Sequence, residues 1–269
     1  MPKRKHHLDN RQSDLFGPQP SPVVHKSAEP DEPVDPTRLD DQQLLKLLVN
    51  CSLTQVEAVS NEVLRRQPSG WTHALLALWD RFRGFDNTSP MIEQKAVLDV
   101  IRHSGRGDLL KQIFERGPLN ECLDAHLLFA AAACGIRLPT EIVRRGLSHC
   151  QQDVRAAAVE LALPSKLAPE MLHPLLTDPC RSVRRLTATV LAESSDSTAR
   201  DLLLLEMKTQ PDRAGLEALG FVANEDVVIL LGQIARQHPD WFQTIIDVLE
   251  GCDHPKAAMV QAGLLQHTV

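Results

Sequence analysis

Residues 152–162 read Gln-Asp-Val-Arg-Ala-Ala-Ala-Val-Glu-Leu-Ala, and residues 181–192 read Arg-Ser-Val-Arg-Arg-Leu-Thr-Ala-Thr-Val-Leu-Ala. Aligning Val154-Arg155 on Val183-Arg184 sets an offset of 184 − 155 = 29 residues. Carried forward, the offset lands on Arg213, ahead of Ala214, Leu216, Ala218 and Leu219. Carried back, it lands on His126, which opens Leu127-Leu128-Phe129-Ala130-Ala131. Self-similarity at this period constrains the chain strongly. A unit of that length holds one helical hairpin, and a single hairpin cannot bury its own apolar face. Successive hairpins must therefore stack into a continuous core.

The residues at the repeat also carry a family likeness. Asp178, Pro179, Val183 and Arg184 reproduce D-P-x-x-x-V-R, and 153–155 reproduces its end. The segment resembles the opening of the second helix of the HEAT repeat. That resemblance implies an all-α, HEAT-like helical-repeat solenoid over residues 37–269. Arg155, Arg184 and Arg213 are expected to form a structural ladder, pairing with turn acids such as Asp153 and Asp178 to lock each repeat to the next. Arg181 and Arg185 are the less committed pair, free to face a partner.

Composition agrees with this architecture. Apolar residues are 43% of the chain while aromatics are 4% and tyrosine is absent, which suits close helix packing through small side chains. A net charge of −6 argues against a protein that coats nucleic acid by bulk charge. The six cysteines, at 51, 122, 134, 150, 180 and 252, form no C-x-x-C pair. They read as small buried hydrophobes of a reducing cytoplasm. No apolar segment follows Lys3-Arg4-Lys5, so no secretory signal is expected. The longest apolar run, 125–136, is too short to cross a bilayer, which takes about 20 residues. The expectation is a soluble cytoplasmic protein without membrane contact.

Residues 1–36 are expected to stay disordered. Seven of the 18 prolines fall there, with few large apolar residues to bury. Within this tail, Gln12-Ser13-Asp14-Leu15-Phe16 holds its only adjacent pair of large apolar side chains, followed by Gly17-Pro18. The pentapeptide resembles the Q-x-[SD]-L-F motif by which bacterial polymerases and repair factors dock on the β sliding clamp. Leu15 and Phe16 would enter an apolar pocket, and Gln12 would hydrogen-bond at its rim. The eukaryotic clamp motif requires aromatics where Pro18 and Gln19 stand.

Helix signals begin at Asp40 or Asp41, either of which can cap a helix carrying Leu44, Leu45, Leu47 and Leu48. A partner helix spans 54–64. Trp71, Leu75, Leu78, Trp79 and Phe82 make one helical stripe, read as core rather than as a base-stacking platform. Pro90 restarts a helix through Ile92, Ala96, Val97 and Val100. Hairpins then pair 109–114 with 123–134, 142–147 with 154–163, 171–176 with 183–192, and 199–207 with 213–221. The segments 227–235, 241–249 and 256–265 close the stack in a slipped register. About seven to eight hairpins result.

The sequence offers little chemistry. The 11 histidines lack H-x-x-x-H spacing, no cysteine stands beside them in a zinc pattern, and no phosphate loop or nucleophile elbow is present. No catalytic residue, metal or cofactor is expected. The reading is a non-enzymatic adaptor in DNA replication or repair, its tail on the clamp and its row of second helices holding a protein or DNA. A general protein-protein scaffold without clamp contact is the alternative. A HEAT-like alkyl-purine DNA glycosylase is a further one, though its basic face and its aromatic-and-acid cluster have no counterpart here.

Overall fold

The computed structural model describes residues 34–81, 91–117 and 119–266, and every element among them is helical. The body begins at Pro36. Its helices alternate between two rows, each hairpin giving one helix to each. The hairpins are α1 (Asp41–Asn50) with α2 (Val56–Arg66), α3 (Trp71–Arg81) with α4 (Ile92–Ser104), α5 (Gly107–Glu115) with α6 (Asp124–Cys134), and α7 (Thr140–Leu147) with α8 (Gln152–Ala162). A 3-10 segment, Pro169–Thr177, precedes α9 (Arg181–Glu193). Then come α10 (Arg200–Thr209) with α11 (Arg213–Phe221), and α12 (Glu225–Gln237) with α13 (Phe242–Glu250). A last helix, α14 (Ala257–Gln266), covers α12 and α13. The second helices pack as one unbroken row: α2, α4, α6, α8, α9, α11, α13. The chain is thus an all-α helical-repeat protein, with seven hairpins and a covering helix among the described residues.

Local chemistry explains where the helices start. Asp40 accepts from the Gln43 amide at 2.8 Å and Gln43 Oε1 accepts from the Asp40 amide at 3.1 Å, a reciprocal cap on α1. Asp212 and Asn224 cap α11 and α12 in the same one-sided way, each accepting from the amide three residues on. The segment 169–177 departs from the α-helix that 171–176 was expected to form. Pro174 has no N–H to close an i→i−4 bond, and Pro169 sits in the first turn, so the tighter 3-10 winding prevails.

The core is a single aliphatic ribbon running between the rows. Val154 and Val183, the residues that define the repeat, are both fully buried. Trp71, Leu75, Leu78 and Trp79 are buried too, so that stripe is core; Phe82 and Pro90 lie outside the described residues. Small residues set the closest approaches. A Cβ on Gly146 of α7 would lie 2.5 Å from Leu128 Cδ1 of α6 and 2.9 Å from Ala158 Cβ of α8. Only glycine lets α7 sit that deep between them.

Helix starts along the second row fall at 124, 152, 181, 213 and 242. Their spacings are 152 − 124 = 28, 181 − 152 = 29, 213 − 181 = 32 and 242 − 213 = 29. The spacing is 29 residues from α8 to α9 and again from α11 to α13, and it departs from 29 at the other two steps.

Candidate partner-binding face

Ion pairs that tie one helix to the next account for most of the arginines singled out by the sequence. Asp178, at the turn before α9, is 5% exposed and accepts from Arg155 of α8 through Nε at 2.7 Å and Nη2 at 2.9 Å. Its Oδ1 also accepts from the Cys180 amide at 2.8 Å, which fixes the turn. Arg155 turns its remaining nitrogen, Nη1, to the carbonyls of His149 and Cys150. The guanidinium beside it holds the Asp178 carboxyl below the usual carboxylate range, and the Cys180 amide adds to the effect. Arg184 repeats half of this arrangement, donating from Nη1 to the carbonyls of Asp178 and Pro179 at 2.6 and 3.2 Å. Arg155, Asp178 and Arg184 therefore meet at one turn.

Two expected rungs stand elsewhere. Arg213 is the first residue of α11, whereas Arg155 and Arg184 are the fourth of theirs. It pairs along its own helix with Glu217 at 2.7 Å and feels Asp247 of α13 only through longer-range charge. Asp153 is exposed in the first turn of α8 and takes no part in the Arg155 contact.

Arg181 and Arg185 are committed after all. Arg181 grips Glu206 of α10, with Nη2 and Nε at 2.6 and 2.8 Å from Oε2, and Glu206 is itself buried. Arg185 pairs with Asp212 and donates to the Gln210 carbonyl at 3.3 Å. Both bridge α9 to α10 and to the turn before α11. Sequence reasoning missed their partners because Glu206 lies within an apolar helix, 206 − 181 = 25 residues from its arginine and outside the repeat motif. It also missed Arg145, whose Nε donates to Asp124 at 2.6 Å and ties α7 to α6. Gln12, Ser13, Asp14, Leu15 and Phe16 lie outside the described residues.

Three grooves lie along the second-helix row. One groove, of about 400 Å³ between α2 and α4, is lined by Glu57, Asn61, Lys95, Asp99, Arg102 and His103 over Leu64, Ile92 and Ala96. A shallower one of about 360 Å³ continues across α6 and α8, with Arg102 at its edge 5.0 Å from the Phe129 ring centroid. Its floor is Ala132, Ala133, Ala156 and Ala157, and Asp153 and Glu160 stand on its α8 side. The most voluminous of the three, about 580 Å³, lies among α9, α11 and α13, lined by Glu193, Arg213, Glu217, Gly220, Phe221, Thr244, Asp247, Val248 and Gly251. Here Gly220 sets the floor, since a Cβ on it would lie 3.0 Å from Val248 Cγ1.

The charge along this row is uneven. Glu57 and Asp99 are matched by Lys95 and Arg102 in the first groove. In the last, Glu193, Glu217 and Asp247 face Arg213 alone. The surroundings of Glu193 push its carboxyl above the usual range, first through lost hydration and then through the charge of Glu217. Among the described residues no group of three His, Cys, Asp or Glu could hold a metal ion, and no helix is long and apolar enough to cross a membrane. The six cysteines are all free thiols, but only Cys51 is buried as expected; Cys122 and Cys150 are exposed and Cys134, Cys180 and Cys252 half-buried.

Stacked hairpins with grooves along one helix row define the class, a helical-repeat protein. No protein-family model and no curated protein sequence matches the chain. Among solved structures, it is similar to the crystal structure of YibA from Escherichia coli, with a TM-score of 0.57 over 80% of this chain and 93% of that one. The two are 13% identical, so the similarity concerns the fold alone.

Proposed function

We propose that this chain is a non-enzymatic cytoplasmic adaptor of the HEAT-like type, in which the second-helix row binds a partner and the N-terminal peptide tethers the assembly to the bacterial β sliding clamp. The observation that carries the platform half is the presence of three grooves along that row, while Arg155 and Arg181 are engaged in contacts between helices. Broad, shallow, unevenly charged grooves suit a macromolecular surface better than a reacting small molecule, which calls for a deep pocket with convergent polar groups. The tether half rests on Gln12-Ser13-Asp14-Leu15-Phe16. Such a short peptide buries few residues and loses conformational freedom on binding, so affinity on the order of micromolar is expected.

The test is a titration of full-length chain against purified clamp. Burying Leu15 and Phe16 contributes about 1.5–3 kcal/mol each, so replacing both by Ala weakens binding about 100-fold or more. Gln12→Ala costs about 1 kcal/mol. Equal binding by the parent and the double-Ala chain, or none by either at hundreds of micromolar, would refute the tether and leave a scaffold without clamp contact.

A further inference from the structure

We infer that the groove among α9, α11 and α13 takes a cationic segment of a partner protein, one that sets arginine or lysine beside an apolar side chain, and that it rejects nucleic acid. The inference deepens the adaptor reading and rests on its platform half. Three observations point the same way.

The first is charge. Three carboxylates, Glu193, Glu217 and Asp247, line this groove against the single guanidinium of Arg213, whereas between α2 and α4 Glu57 and Asp99 are matched by Lys95 and Arg102. Arg213 offsets one of these charges, its Nε held 2.7 Å from Glu217 Oε1, and two carboxylates remain in excess. Asp247 accepts from the neutral Gln243 side-chain amide at 2.7 Å and feels the charge of Arg213 at longer range. Glu193 carries no ion pair with a cation and faces Glu217 across the groove. A phosphate backbone brought here would meet like charge, whereas a guanidinium or ammonium would find several acceptors.

The second is the apolar element. Phe221, at the end of α11, is 58% exposed beside these acids, and Val248 forms the floor below it. An aromatic ring left open next to carboxylates can receive both the aliphatic stem and the cationic head of a long basic side chain. The third is shape. Gly220 draws α11 and α13 together without filling the space above them, so the groove stays open along its length for an extended or helical segment.

The experiment uses full-length chain and three short fluorescent peptides, one alternating arginine with leucine, one arginine with glycine, and one glutamate with leucine. The arginine-leucine peptide is expected to bind best and the glutamate-leucine peptide not at all. Glu217→Gln with Asp247→Asn should weaken the arginine-leucine peptide about tenfold or more. Phe221→Ala should erase its advantage over the arginine-glycine peptide. Glu115→Gln with Glu170→Gln removes the same charge from the first-helix row and should change nothing. Reversal of preference in a Glu217→Lys, Asp247→Lys chain, which should then take the glutamate-leucine peptide, completes the case. Equal losses in the groove and first-row variants would reduce the effect to bulk charge and overturn the assignment. So would tighter binding of a short duplex DNA than of any peptide, with the groove variants altering its affinity. A chain with Leu15→Ala and Phe16→Ala should keep the full peptide affinity, so failure of clamp docking leaves this result standing. Absence of peptide binding alongside intact clamp docking refutes the groove assignment alone.

Discussion

Removing the Asp178 carboxylate is the sharpest test of how the repeats hold together. Asp178→Ala deletes three hydrogen bonds: two from Arg155 and one from the Cys180 amide. The Arg155 side chain, 11% exposed, then keeps only the carbonyls of His149 and Cys150 against its charge. Breaking a buried pair by removing one partner costs about 3–5 kcal/mol. The two surviving carbonyl bonds place this case near the lower end, at about 3 kcal/mol. Asp178→Asn keeps an acceptor for the Cys180 amide and should cost about half as much. Arg155→Met removes the cation as well, so the double variant Arg155→Met, Asp178→Ala should be less destabilised than the sum of the singles by about 2 kcal/mol. Urea unfolding followed by helical circular dichroism gives the totals. Native-state hydrogen exchange adds the location, because in a stacked array the loss falls on the α8–α9 interface rather than on the whole. An Asp178→Ala chain within about 0.5 kcal/mol of the parent, or single effects that simply add, would refute the reasoning.

The same carboxylate sets an acid dependence. Its folded pKa is depressed, so its contribution is complete above the ordinary aspartate value of about 3.9 and fades as pH falls toward the depressed one. The stability gap between the parent and Asp178→Ala should therefore narrow as pH falls below the ordinary aspartate value of about 3.9, and a gap constant on further acidification would contradict the assignment. Val183→Asp places an unpaired charge at a fully buried position and should cost on the order of 3–5 kcal/mol, read as a lowered melting temperature; unchanged melting would mean the repeat register is wrong.

Much of the fold was legible because apolar spacing and caps are local. Asp40, the Trp71 stripe and the pairing of 142–147 with 154–163 all follow from residues near one another in the chain. The Val-Arg register held between α8 and α9, whose starts are 29 residues apart. It failed at Arg213 because Asp212 caps α11 at its own place, three residues later than the period requires. Asp212 just before an apolar helix was the available signal. Arg181 and Arg185 could not be resolved from sequence, since Glu206 and Asp212 reach them only through the packing of α10 against α9. Grooves are less legible still. Glu193, Glu217 and Asp247 come from three helices and share no motif, and only stacking puts them on one face.

Arg66, near the end of α2, has a mechanical consequence. Its Nη1 donates to the Leu39 carbonyl at 2.7 Å, and its Nη2 to the carbonyls of Thr37 and Pro36 at 2.6 and 3.3 Å. Its Nε is held by Glu62, whose carboxyl is pulled down to about 2, first by Arg65 and then by Arg66. A tension applied to the chain ahead of Pro36 would first load these bonds. They share it in parallel and pass it into the last turn of α2, at the far end of the first hairpin, before α1 can be peeled away one turn at a time. A body towed by its N-terminal segment would thus be hauled by its second helix rather than unravelled from its first.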